Sequence, residues 1–100
     1  MTSPLDSSQV PQLARHFRMQ WEEVQQCHVL LYPEGMVKLS GSAGEIMKNI
    51  NGLDNIEQIV IKLESAYPGN DLRADVIEFL QIAEQRGWIR MLPQQDKIDS

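Results

Sequence analysis

The residues best suited to metal or nucleophile chemistry are one cysteine and two histidines, and their spacing disfavours both uses. Cys27 and His28 adjoin one another in a β-favouring run, where successive side chains point to opposite faces and cannot close on one ion. His16 lies in a separate segment, and no CxxC or HxxxH spacing occurs anywhere. Glu22 and Glu23 fall in a polar stretch that reads as a turn, where two solvated carboxylates make a poor general acid and base. Gly41 and Gly44 flank Ser42, but no GxxxxGK phosphate loop follows. No nucleophile, base and orienting group assemble. The chain is therefore expected to be no enzyme, with no catalytic residue, metal or cofactor.

Binding chemistry has more to build on. The segment Met36, Val37, Lys38 and Leu39 reads as the last strand of a meander, and such a strand is an edge unless something covers it. An edge offers unpaired N–H and C=O groups, to which a peptide adds as a further strand. The third predicted helix is apolar over a wide arc: at about 100° per residue, Leu72, Val76, Phe79 and Ala83 share one stripe. Leu80 and Ile77 extend one flank of that stripe and Ile82 the other, with Arg73 near Leu80 and Asp75 near Phe79. A groove between this strand and this helix would have an apolar floor and charged margins. The expected peptide-binding residues are thus Met36, Val37, Lys38, Leu39, Arg73, Asp75, Val76, Phe79 and Leu80. The competing expectation is that the extra apolar residues pack on the other helices.

The elements that must position these residues follow from hydrophobic period. Phe17, Met19 and Trp21 alternate with Arg18 and Gln20, the period of a half-buried strand. After the polar turn, Val29, Leu30, Leu31 and Tyr32 form a second strand that ends at Pro33. Pro33-Glu34-Gly35 supplies hairpin-turn chemistry. The period then changes. Ser42 and Glu45 fit a capping box, with Ser40 a competing cap, ahead of Ala43, Ile46, Met47 and Ile50 at helical spacing. Asp54 is predicted to cap the second helix, with Glu57 in the capping-box position and Ile56, Ile59, Val60 and Leu63 on its apolar face. Asn70 or Asp71 opens the third helix, which Gly87 closes, leaving Trp88 and Ile89 to fold back. Three antiparallel strands followed by three helices give an α+β domain that resembles a winged helix-turn-helix.

One hundred residues, 42% of them hydrophobic, suffice for a single modest core. Residues 1–12 and 93–100 hold too little apolar surface to pack and read as a flexible arm and tail around a domain at 13–92. A lone cysteine excludes an internal disulfide. No secretory signal and no run of about 20 apolar residues is visible, so a cytoplasmic location and no membrane partner are expected. A winged-helix DNA-binding regulator is the alternative function. The net charge of −5 opposes it, as does a third helix with Asp71, Asp75, Glu78 and Glu84 against Arg73 and Arg86.

The run Tyr32-Pro33-Glu34-Gly35-Met36-Val37-Lys38-Leu39-Ser40, with Ser42-Ala43 after it, resembles the Y-P-E-G-M-x-K-L segment of the PqqD family. Asp75-Val76-Ile77-Glu78-Phe79-Leu80, continuing to Arg86-Gly87-Trp88-Ile89, is similar to the family's closing D-V-x-x-F-L pattern. So is the leading Pro11-x-Leu13 with Phe17-Arg18. The chain departs from the pattern at Ser40-Gly41, where many relatives have Asn-Glu. The resemblance implies a peptide recognition element that binds the ribosomally made precursor PqqA between the third strand and the third helix. It implies presentation of PqqA to PqqE, a radical S-adenosylmethionine enzyme that cross-links a Glu and a Tyr and carries its own iron–sulfur cluster. The open edge also permits strand exchange between copies into a homodimer.

Overall fold

The computed structural model describes residues 7–39 and 41–92. Its elements are β1 (Val10–Leu13), β2 (Arg18–Glu22), β3 (Cys27–Tyr32), β4 (Gly35–Leu39), α1 (Ser42–Met47), α2 (Ile56–Ala66), α3 (Arg73–Gln85) and β5 (Ile89–Leu92). Three antiparallel strands in the order β2-β3-β4 precede three helices, and β1 with β5 makes a second, two-stranded sheet. The α+β arrangement holds. None of these helices is long and apolar enough to cross a membrane.

The alternation along β2 and β3 sends Met19 and Leu30 to one face, where Val37 and Leu39 of β4 join them. That face meets Met47 of α1, Ile59 and Val60 of α2, and Val76 and Leu80 of α3 in one core. Val29 points to the opposite face and is covered between its cross-strand neighbours Gln20 and Lys38. Phe17 stacks on Tyr32 with ring centroids 5.3 Å apart, so two of the aromatic residues that carry the family resemblance brace the β3–β4 hairpin.

α1 crosses close to the sheet. A Cβ on Gly44 would lie 2.9 Å from the Leu39 carbonyl oxygen, so only glycine fits this approach without a shift. The expected capping box at Ser42 does not form: the N-cap is Gly41, at φ 61° and ψ −135°, with no side-chain bond to the helix. Gly41 adopts a backbone that side-chain-bearing residues resist, and this places Ser42 inside the helix. The competing cap Ser40 lies outside the described residues.

α2 begins one residue later than predicted. Asn55, not Asp54, is the N-cap, and it completes a capping box with Gln58 rather than Glu57. Asp54 turns instead to Lys62 and Asn51, and Glu57 to Arg73. α3 starts after Leu72 rather than Asn70 or Asp71, although Asp71 Oδ1 accepts from the Arg73 N–H at 3.4 Å. Its N-cap is Leu72, which has no capping side chain, and the Leu72 N–H donates to Glu64 Oε2 of α2 at 2.9 Å.

The arm expected over residues 1–12 is corrected at its end. Val10 to Leu13 pair with Leu92 to Ile89, and Pro11 is fully buried. The carbonyls of Ser7 and Gln9 accept from the N–H groups of Glu57 and Ile56, both at 3.0 Å. These are two donors that the start of α2 leaves without intrahelical partners. Residues 1–6 and the tail at 93–100 lie outside the described residues.

Candidate functional site

Only two residues separate Tyr32 from Gly35 in the β3–β4 hairpin, and this sets the hydrogen-bond phase of β4. The closing pair exchanges both its bonds, and bonded and non-bonded pairs alternate from there. Gly35, Val37 and Leu39 therefore bond to β3, while Met36 and Lys38 direct their N–H and C=O groups away from it. Among the described residues β4 pairs only with β3, so this row is an open edge. The side chains obey the same alternation. Met36, 53% exposed, and Lys38 stand on the outer face, while Val37 is half-buried and Leu39 buried on the helix side.

At the Leu39 end of the sheet lies a cavity of about 680 Å³. Trp21, His28 and Leu39 form one cross-strand row that lines it. Gly44, Glu45 and Ile46 of α1 close one side, and Leu63 of α2, Tyr67 and Leu72 of the α2–α3 connection, and Asp75 and Val76 of α3 close the other. The Trp21 ring meets His28 edge-on at 5.0 Å, and its indole N–H donates to Glu23 Oε1 at 3.1 Å.

Of the nine residues expected to bind peptide, Leu39, Asp75 and Val76 line this cavity. Met36, Val37 and Lys38 run along the edge that leads to it. Phe79 is half-buried against the core and outside the cavity lining, and Leu80 is wholly inside the core. Arg73 is already engaged: Nη1 and Nη2 donate to Glu57 Oε1 and Oε2 at 2.5 and 2.8 Å. The bidentate pair holds the Glu57 carboxyl below its ordinary range and raises the Arg73 guanidinium. Lys62 and Asn51 lower Asp54 in the same way. All three groups are solvent-facing and serve to tie elements together.

Trp21, His28, Glu45 and Tyr67 were not anticipated at the site, and Leu72 was expected only as part of the apolar stripe of the third helix. Their common location depends on strand register and on the α2–α3 turn. The available signal was that Trp21 falls opposite His28 once the polar turn between them is closed symmetrically.

The arrangement offers open backbone groups along β4 and a cavity at its end. The model of the family described as "Coenzyme PQQ synthesis protein D (PqqD)" matches residues 27–89. A "PqqA binding protein" of Azotobacter vinelandii is 51% identical over 82% of this chain and 90% of its own length. One of the same description from Stutzerimonas stutzeri is 42% identical over 89% of this chain and 98% of its own. Among solved structures, the PqqD truncation of Methylobacterium extorquens PqqCD, described as a functional, stand-alone recognition element for ribosomally synthesised, modified peptides, superposes with a TM-score of 0.71. It shares 30% identity, covering 85% of this chain and 93% of that one. A matching family model over more than half the chain and relatives this similar along nearly their whole length leave one conclusion: this chain belongs to the PqqD family.

Proposed function

We propose that this chain binds the precursor peptide PqqA as an added strand on the open edge of β4 and presents it to the radical S-adenosylmethionine enzyme PqqE. The observation that carries the reading is the edge itself. Met36 and Lys38 offer unpaired backbone groups beside an apolar cavity, in a chain whose relatives are named for binding PqqA. Backbone pairing supplies affinity with little demand on sequence, and Leu39 and Val76 offer hydrocarbon surface to leader side chains on the helix side. Phe79 flanks the path. Ordering a disordered peptide costs free energy, so the affinity is about micromolar, suited to a carrier that hands over its cargo.

The role is binding rather than catalysis, carried out in the cytoplasm. Nucleic acid is the weaker ligand on charge: with Arg73 engaged by Glu57, α3 presents Asp75, Glu78 and Glu84 to any phosphate. Amide NMR titration with PqqA tests the reading. The expected result is saturable shifts concentrated at residues 36–39 and on α3, with a second set of residues moving when PqqE is added. Shifts confined to other surfaces, or none, would remove it.

A further inference from the structure

The cavity at the end of β4 has a chemistry that the edge alone does not require. Its floor is core: Leu39, Ile46, Leu63 and Val76 are each almost wholly buried and present only hydrocarbon. Its walls include Trp21, 47% exposed, and Tyr67, 45% exposed, two large aromatic residues that the core does not absorb. Two carboxylates, Glu45 and Asp75, reach it, and no lysine or arginine lines it.

The two acids are not equivalent. Glu45 Oε1 is taken by Lys48 at 3.2 Å. Asp75 is exposed and makes no ion pair or side-chain hydrogen bond among the described residues. An apolar floor, aromatic walls and an unpaired carboxylate at the mouth match a side chain with a long aliphatic stem and a cationic head. The stem displaces water from hydrocarbon, and the head meets aromatic faces and a carboxylate together.

Resting on the strand-addition reading above, we propose that this cavity seats a lysine or arginine side chain of the bound peptide, with Asp75 as the anchoring carboxylate. The position is consistent with that geometry. A strand paired through Met36 and Lys38 sends alternate side chains to the helix side, and the one beyond Lys38 arrives where Leu39 and Gly41 border the cavity. The contact sets register: a slip of one residue would carry the cation to the outer face.

The test uses the full chain and the cognate PqqA peptide, prepared unmodified and with each Lys and Arg replaced singly by norleucine. Affinities are measured for the parent protein, for Asp75→Asn, and for Glu78→Gln, an α3 acid outside the cavity, with thermal melts to match foldedness. One norleucine replacement should weaken binding to the parent about tenfold, and Asp75→Asn should do the same for the unmodified peptide. Together the two changes should cost no more than either alone, and Glu78→Gln should change little. The Trp21 indole N–H resonance should move on binding the unmodified peptide and move less with the sensitive replacement. If the unmodified peptide binds but no replacement matters, or the two effects simply add, the cavity does not hold a cation and strand addition stands. If the unmodified peptide does not bind at all, both proposals fall.

Discussion

Phe79 and Leu80 are neighbours on α3, yet truncating each asks a different question. Leu80 is wholly buried among core residues, so Leu80→Ala should destabilise the fold by about 2–5 kcal/mol. It should leave PqqA affinity unchanged when only the folded fraction is counted. Phe79 is half-buried at the flank of the proposed peptide path, so Phe79→Ala should cost less stability and should weaken PqqA binding. Urea melts with peptide titration at matched foldedness would separate the two. If neither change alters affinity, α3 is core alone and the peptide lies elsewhere. The helical period placed both residues on one broad apolar stripe. It could not divide that stripe between core and groove, because the division depends on where α2 and the sheet press against α3. Arg73 shows the same limit. Its charge was legible, but its bidentate engagement with Glu57, sixteen residues away, is a product of the fold.

At the scale of elements, the β2-β3-β4 meander was the most legible part, because a period of two and a Pro-Glu-Gly turn need only local chemistry. The caps were less so. Asp54 with Glu57 and Asn55 with Gln58 are two capping boxes offset by one residue, and propensity alone does not choose between them. The fold chooses by employing Asp54 and Glu57 in ion pairs with Lys62 and Arg73, leaving Asn55 and Gln58 to cap. The hydrogen-bond phase of β4 was likewise open until its register was known. With Val37 bonded to β3 and Lys38 directed outward, proline distinguishes the two sides of the strand, since it removes a donor. Val37→Pro should leave a ladder partner unmatched, at about 1–3 kcal/mol, and fold poorly. Lys38→Pro should melt near the parent but bind PqqA about tenfold more weakly. Thermal melts and peptide titration on both variants decide. Should Lys38→Pro bind as the parent does, the precursor does not dock on this edge.

The whole molecule is closed at a place the sequence concealed. Residues 1–12 are rich in small and polar types, and nothing in their composition announces structure. What ties residues 7–12 to the body is largely backbone. The carbonyls of Ser7 and Gln9 complete the N-terminus of α2, and β1 pairs with β5 across the chain's two ends. Backbone acceptors leave no trace in side-chain identity, and a four-residue strand is too short for its period to stand out. The same contacts separate stability from recognition. Ser7 and Gln9 meet the first turn of α2, whereas the cavity is bordered by Leu63 and Tyr67 at its other end, about 10 Å or more along the axis. Removing residues 1–12 should therefore unsatisfy two helix donors, strip β5 of its partner and expose the surface that Pro11 covers. The expected cost is about 2 kcal/mol or more, seen as a lower midpoint in urea. PqqA affinity of the folded fraction should be preserved, because none of the described residues being removed lines the cavity or pairs with β4. An unchanged midpoint would mean that the segment is the flexible arm its composition resembles. A folded truncation that no longer binds PqqA would place part of the peptide site on β1.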